Sequence, residues 1–268
     1  MKEGILPIWQ PVGYSTHIIA KKVAEKFDVL TSHTGVIDPM AEGVVIILLG
    51  EDRNKKYEYA SWVKEYEFEV LFGLETDTYD GMGIVDCSKK SSVIKEAELR
   101  SILSSFVGDY VQKYPPYSAK IVNGKPLHWY SRNKKLDEIE IPSKEGNIFK
   151  VELLDFGAIP LEVAVRNIIE RIKLVSGDFR QEEIIKCWND CDFSNNYQVA
   201  KIRVSMSKGL YVRGLAVDIA SALGSNGFVY SLVRTGNGDY TRENSKTLED
   251  VFGSDFLDNY DFTSRSES

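Results

Sequence analysis

The amino-acid sequence predicts an α+β fold, a mixed and mainly antiparallel sheet flanked by helices. Three observations carry this expectation. Some segments alternate apolar and polar residues at the period of a half-buried strand. Others place apolar residues three and four apart, as an amphipathic helix does. The two kinds alternate without the regular β-α-β beat that a parallel, doubly wound sheet requires.

Thr16 to Phe27 reads as the first helix: Ser15 or Thr16 can cap it, and Ile19, Val23 and Phe27 recur every four residues. Val44 to Leu49 is an unbroken apolar run between Gly43 and Gly50, the signature of a strand buried on both faces. Tyr66, Phe68, Val70 and Phe72 alternate with polar residues, as do Ala200, Ile202, Val204 and Met206. Leu99, Ile102, Leu103 and Phe106 form a helical stripe, and Leu215, Ile219 and Leu223 another that ends at Gly224. A further stripe, Val165, Ile168, Ile169, Ile172 and Val175, leads into an acidic-leaning stretch and suggests an inserted helical element. Beyond Asn244 the chain turns acidic and Ser-rich, with a short helix expected over Thr247 to Leu257 and a loose final ten residues.

A chain of 268 residues, 43% apolar and 27% charged, can bury a sizeable core in one large domain or two small ones. No apolar run is long enough to span a bilayer, and the first residues lack the features of a signal peptide. Three cysteines cannot build a disulfide framework, so the expected compartment is the cytoplasm. Cys187 and Cys191 have no His cluster or second Cys pair beside them, so idle thiols are a better reading than zinc.

The net charge of -7 argues against a polyanionic partner, but the charge is unevenly spread. From Gln112 to Leu136 there is no acid, and Lys113, Lys120, Lys125, Arg132, Lys134 and Lys135 alternate with Tyr114, Tyr117, Trp129 and Tyr130. Basic groups neutralise phosphates and aromatic faces stack on unpaired bases. A solvated basic loop is the plainer alternative.

Four places carry candidate chemistry. In His33-Thr-Gly-Val-Ile-Asp-Pro39 a single carboxylate, Asp38, stands between a Gly and a Pro; taken alone it reads as a turn-forming Asp. Gly73 to Gly83 holds Asp77 and Asp80 but has neither calcium-loop spacing nor a phosphate-loop signature, so Asp and Thr satisfying a long turn is the stronger account. Tyr114-Pro-Pro-Tyr-Ser-Ala-Lys-Ile-Val-Asn-Gly-Lys125 lies in the basic window. In Ser207 to Gly214 a strand passes into a helix, offering Tyr211 and Arg213; the arginine either ties an edge to the core or holds a carboxylate bidentately.

In combination and order these segments are specific. From about Gly4 to Tyr240 the chain resembles the bacterial tRNA pseudouridine synthase B (TruB) family, which makes the T-loop pseudouridine at position 55 of tRNA. The matching residues include Gly4 to Thr16, His33 to Gly43, Lys64-Glu-Tyr66, Gly73 to Gly83, Pro115 to Lys120 with Asn123-Gly-Lys125, Ser207 to Arg213, and Leu232-Val-Arg-Thr-Gly236. The resemblance implies a pseudouridine synthase fold with a thumb-like RNA-contacting segment. It implies Asp38 as the nucleophile and Tyr66 as the aromatic that stacks on the flipped base and assists proton removal. Tyr211 packs beside the nucleotide, Arg213 pairs with the catalytic aspartate, His33 stacks near the extruded nucleotide, and Leu232 lines the pocket. Lys120 and Lys125 belong to the thumb that closes on the T-stem-loop. An isomerisation of this kind needs no metal and no organic cofactor, and a monomer is the default state.

The implied organisation is a catalytic domain over 1–245, with the thumb at about 112–136 and an insertion at about 160–197, followed by an acidic tail over 246–268. Three departures stand out. Gln10 replaces the family's usual Lys, either near the RNA or in the core. Val233 and Arg234 stand where an Arg pair is common. The short tail is too small for the C-terminal PUA-type RNA-binding domain of the family. The competing reading is an RNA-binding, tRNA-folding chaperone with reduced or lost catalysis; an archaeal-type guide-RNA-dependent synthase fits the thumb motif less well.

Overall fold

The computed structural model describes residues 2–87 and 93–254. In chain order these form β1 (Gly4–Gln10), α1 (Thr16–Phe27), β2 (Thr31–His33), β3 (Glu42–Leu49), α2 (Lys56–Ala60), β4 (Lys64–Phe72), β5 (Glu75–Thr76) and β6 (Val85–Asp86). Then come α3 (Glu96–Ser105), β7 (Gly108–Lys113), β8 (Ile121–Val122), β9 (Lys125–Pro126), α4 (Leu127–Arg132) and the long β10 (Ser143–Pro160). The remainder is α5 (Leu161–Leu174), α6 (Gln181–Asn189), β11 (Asn196–Met206), α7 (Val212–Ala222), β12 (Gly227–Asn237), β13 (Tyr240–Thr241) and α8 (Leu248–Phe252). The fold is the expected mixed one, mainly antiparallel strands with helices. The chain divides into two compact units, one of Met1–Glu67, Glu170–Phe179 and Leu232–Ser268, the other of Phe68–Ile169 and Arg180–Ser231.

The first unit is built on β3. It pairs antiparallel with β1, from Gly4 opposite Leu49 to Gln10 opposite Gly43, and with β2 through Thr31, Ser32 and His33. Its start pairs parallel with β12, Arg234 opposite Gly43. Because successive side chains point to opposite faces, Val45, Ile47 and Leu49 pack with Ile19 and Val23 of α1 and with Leu248 and Val251 of α8. Val44, Ile46 and Leu48 pack with Trp9, Tyr59 and Trp62 on the other face. All six are fully buried, and each such side chain contributes roughly 1.5–3 kcal/mol. The unbroken apolar run is thus explained by two covered faces.

Ser15 occupies the cap position of α1 without a side-chain cap hydrogen bond. The Thr16 hydroxyl donates instead to Gln10 Oε1 at 2.6 Å, and Gln10 Nε2 donates to the Tyr14 carbonyl at 2.7 Å. Gln10 is completely buried, so the departure from Lys at this position belongs to the core. At the other end, Thr247 caps α8 in a reciprocal box with Asp250. That helix ends at Phe252; the expected continuation through Asp255 to Leu257, and the loose final ten residues, lie outside the described residues.

In the second unit β10 pairs antiparallel with both β7 and β11. β10 escapes the sequence pattern because its pairing with β11 slips twice, between Ile148 and Lys150 and between Leu153 and Asp155. Each slip shifts the phase of the inside–outside alternation. The stripe from Val165 onward lies on α5, and α6 follows, with Ile184 and Trp188 fully buried. Trp188 packs against Phe228 with ring centroids 5.6 Å apart and donates Nε1–H to the Gly81 carbonyl at 3.1 Å. The expectation of idle thiols holds only for Cys187: Cys87 and Cys191 are joined as a disulfide, with Cα atoms 6.4 Å apart. Their separation of 104 residues hides the pair from any reading based on spacing. Among the described residues no helix is long and apolar enough to cross a membrane.

Candidate active site

Asp38 lies in the loop between β2 and β3, and both ends of that loop are tied down. The Thr34 N–H donates to the Ile46 carbonyl at 3.2 Å, the Gly13 N–H to the Pro39 carbonyl at 3.0 Å, and the Ala41 N–H to the Asp38 carbonyl at 2.9 Å. Ile37 packs on the core beside α1, which leaves its neighbour Asp38 half-buried. The Asp-Pro pair does make a turn, as its composition suggests, but the turn is anchored on both sides.

Arg234 of β12 supplies the strongest of these anchors, and it is 2% exposed. Its Nε donates to the Val44 carbonyl at 2.6 Å, Nη1 to Val36 at 3.3 Å and Nη2 to Gly35 at 3.2 Å. The same guanidinium interacts electrostatically with the Tyr66 phenol and with Asp38. Burial raises the Tyr66 pKa, and the Arg234 charge opposes that rise. Burial likewise lowers the Arg234 pKa, against the pull of Tyr66 and Asp38. The strand pairing requires Gly43: a Cβ there would sit 2.2 Å from the Arg234 carbonyl oxygen, and its φ is +133°. Of the residues expected to act, the first unit therefore brings Asp38 and Tyr66 together around one arginine. Leu232, 8% exposed, lies two residues earlier on the same strand.

His33 ends β2. Its Nε2 is 3.2 Å from His17 Nδ1, and the rings meet edge to face at 4.6 Å. Burial, with the charges of His17, Lys56 and Arg234, lowers the His33 pKa to about 4. It is thus a neutral ring near neutral pH, suited to stacking.

In the second unit Tyr211 and Arg213 lie at the start of α7. Gln112 of β7 clamps Tyr211 by its backbone: its Oε1 accepts from the Tyr211 N–H at 2.8 Å and its Nε2 donates to the Tyr211 carbonyl at 2.9 Å. Arg213 is 5% exposed. It donates to the carbonyls of Thr78 at 2.7 Å and Tyr117 at 3.2 Å, and its Nε lies 3.6 Å from Asp80 Oδ2. Asp80 is itself placed by the Thr78 hydroxyl at 2.7 Å and the Met82 N–H at 2.9 Å. The Gly73 to Gly83 loop is the satisfied turn expected of it, and it also supports Arg213.

Within the basic, aromatic window β8 and β9 form a small hairpin that leads into α4. Asn123 and Gly124, with φ of 47° and 80°, turn between β8 and β9; positive φ at both central residues is the demand of a tight hairpin turn, and Asn-Gly meets it best. Lys120 and Lys125 are exposed. Lys120 Nζ lies 5.3 Å from the Tyr114 ring centroid and Lys125 Nζ 3.5 Å from that of Trp129. Tyr117 anchors the base of this segment, donating to Asp77 Oδ2 at 3.0 Å, where Arg180 also donates at 2.9 Å. Burial and the Asp77 charge push the Tyr117 pKa up to about 12.

Arg234 and Gln112 are the positions to which sequence reasoning gave no role. A charged residue directly after Leu232 and Val233, inside the strand that ends at Asn237, was the available signal for the first. Gln112 carried none beyond its place at the edge of the basic window. No group of three or more His, Cys, Asp or Glu that could hold a metal ion occurs among the described residues.

Residues 25–168 match the model of a family described as TruB family pseudouridylate synthase (N terminal domain). A tRNA pseudouridine synthase B of Caldanaerobacter subterraneus subsp. tengcongensis is 30% identical over 93% of this chain and 74% of its own length. Another, from Geobacillus thermodenitrificans, is 32% identical over 93% of this chain and 72% of its own. Among solved structures, one described as a Cbf5-Nop10-Gar1 complex superposes with a TM-score of 0.60 at 17% identity. That match covers 96% of this chain and 56% of the solved one, and it speaks for the fold alone. The family match runs through the anchored Asp38 loop, Tyr66 and the thumb hairpin, and the similar relatives cover nearly the whole chain; this chain belongs to the TruB family of pseudouridylate synthases.

Proposed function

We propose that the chain is a tRNA pseudouridine synthase that isomerises a T-loop uridine, with Asp38 as its nucleophile. The observation that carries this reading is the Asp38 carboxylate, held on an anchored loop beside Tyr66 and Arg234. In the reaction the nitrogen–carbon glycosidic bond breaks, the base turns, and a carbon–carbon bond forms. One proton moves from carbon to nitrogen, so neither oxidation nor hydrolysis occurs. The target base must first leave its stack, at a cost of a few kcal/mol. A neutral His33 ring and the Tyr66 face are suited to recover part of that cost by stacking. Leu232 offers an apolar wall, and Tyr211 and Arg213 keep the roles that the family resemblance gives them.

RNA is gripped by the thumb over about 112–136, where exposed Lys120 and Lys125 stand beside aromatic rings. The segment over about 160–197 braces the base of the thumb through Arg180 and Asp77. The enzyme acts as a monomer in the cytoplasm, where a disulfide such as Cys87–Cys191 is rare.

Incubating the chain with an unmodified tRNA transcript and mapping pseudouridine tests the reading. The expected product is a single modified uridine in the T-loop from the wild type and none from Asp38→Asn. A chain that speeds tRNA folding equally well in both forms, with no pseudouridine in either, is a chaperone and overturns the proposal.

A further inference from the structure

We propose that Arg234 is a positioning residue for the isomerisation, holding the Gly35–Asp38 loop and the Tyr66 phenol in register with each other. The inference rests on the reading of Asp38 as the nucleophile and extends it to a strand outside the Asp38 loop. Three carbonyls, those of Gly35, Val36 and Val44, accept from one guanidinium, and the Tyr66 phenol lies within its electrostatic reach. The first two carbonyls belong to the loop that carries Asp38 and the third to the strand that follows it, while Tyr66 stands on β4. A planar fork presents its donors to these three carbonyls in fixed directions; the rotatable donors of a lysine, gathered on one nitrogen, do not.

A purely structural tie would not need a charge. Enclosing a guanidinium costs several kcal/mol unless carbonyls or counter-charges compensate it, and apolar side chains of similar volume often replace buried ions without loss. Here the charge lies within electrostatic reach of Asp38 and of the Tyr66 oxygen. The backbone of Arg234 is closely packed as well. Gly43 stands opposite Arg234 in the parallel pairing, and a Cβ there would meet the Arg234 carbonyl carbon, nitrogen and oxygen all within 2.8 Å.

The test uses the full chain carrying Arg234→Lys, with RNA affinity, melting temperature and the single-turnover rate measured together. The expected result is a folded protein whose RNA affinity stays within about twofold of wild type while its single-turnover rate falls by about 10- to 100-fold, the effect of displacing a reacting group by a fraction of its bond length or more. Arg234→Ala is expected to recover part of its rate in millimolar guanidinium but not in equal sodium chloride. A folded Arg234→Lys with the wild-type rate overturns the inference, and so does a loss of affinity and melting temperature that accounts for the whole loss of rate. Should Arg234→Lys fail to fold, the side-chain N–H resonances of Arg234 in the wild type give a second readout. They should shift when Asp38→Asn removes the carboxylate charge, and unchanged resonances overturn the inference. A wild type that makes no pseudouridine sinks the reading of the site, while the resonance shift still decides whether Arg234 is coupled to the Asp38 carboxylate.

Discussion

His33 shows how far a single residue can be understood from sequence and what packing adds. Its match to the family implies a ring near the extruded nucleotide; its charge state depends on neighbours that only folding supplies. Burial, and the nearby charges of His17, Lys56 and Arg234, lower its pKa from 6.5 to about 4. In the folded chain the proton therefore binds later than in the unfolded chain. The stability associated with neutral His33 is complete above about pH 6.5, is lost as the pH falls toward 4, and changes no further below that. Urea unfolding measured from pH 7 to pH 4 should show a steeper loss in the wild type than in His33→Gln. Parallel curves would show that His33 titrates as it does in water. Gln10 and Arg234 illustrate the opposite limit. Gln10 was visible as a departure from a familiar pattern and Arg234 as the retained half of an Arg pair, yet only their hydrogen bonds show that one belongs to the core and the other holds the Asp38 loop.

Among the elements, legibility follows burial pattern. β3 was readable because both of its faces are covered, and α1, α7 and α5 because one stripe of each is buried. β10 was not, since two register shifts scramble its alternation and much of its length is exposed. The hairpin of β8 and β9 is short, but Asn123-Gly124 encodes its turn directly. Cys87 and Cys191 meet across 104 residues, a distance that no local pattern spans. The pairing of β3 with β12 carries its own prediction. Gly43→Ala places a methyl group 2.2 Å from the Arg234 carbonyl oxygen at a φ of +133°, and it should destabilise the chain by about 1–3 kcal/mol or more. Gly157→Ala in β10, where nothing lies within 4 Å, should stay within about 0.5 kcal/mol of wild type. Denaturant titration of the two variants compares them directly. Equal midpoints would mean that β12 does not press on β3 at Gly43.

At the scale of the whole molecule, a net charge of -7 coexists with an acid-free stretch from Gln112 to Leu136. A polyanion responds to the local field, so the total charge does not decide binding. Lys120→Ala combined with Lys125→Ala should weaken tRNA affinity and reduce the slope of log affinity against log salt by about one to two. An unchanged slope would place the phosphate contacts elsewhere. The family relationship accounts for much that the sequence made legible at this scale, because the matched segments recur in one order along nearly the whole chain. The central claim is that the Asp38 carboxylate performs the isomerisation. Its most direct test is the single-turnover yield of pseudouridine on a tRNA transcript, compared between wild type and Asp38→Asn at matched RNA occupancy. Near-complete conversion by the wild type and none by Asp38→Asn is the predicted result; conversion by Asp38→Asn at the wild-type rate would contradict it.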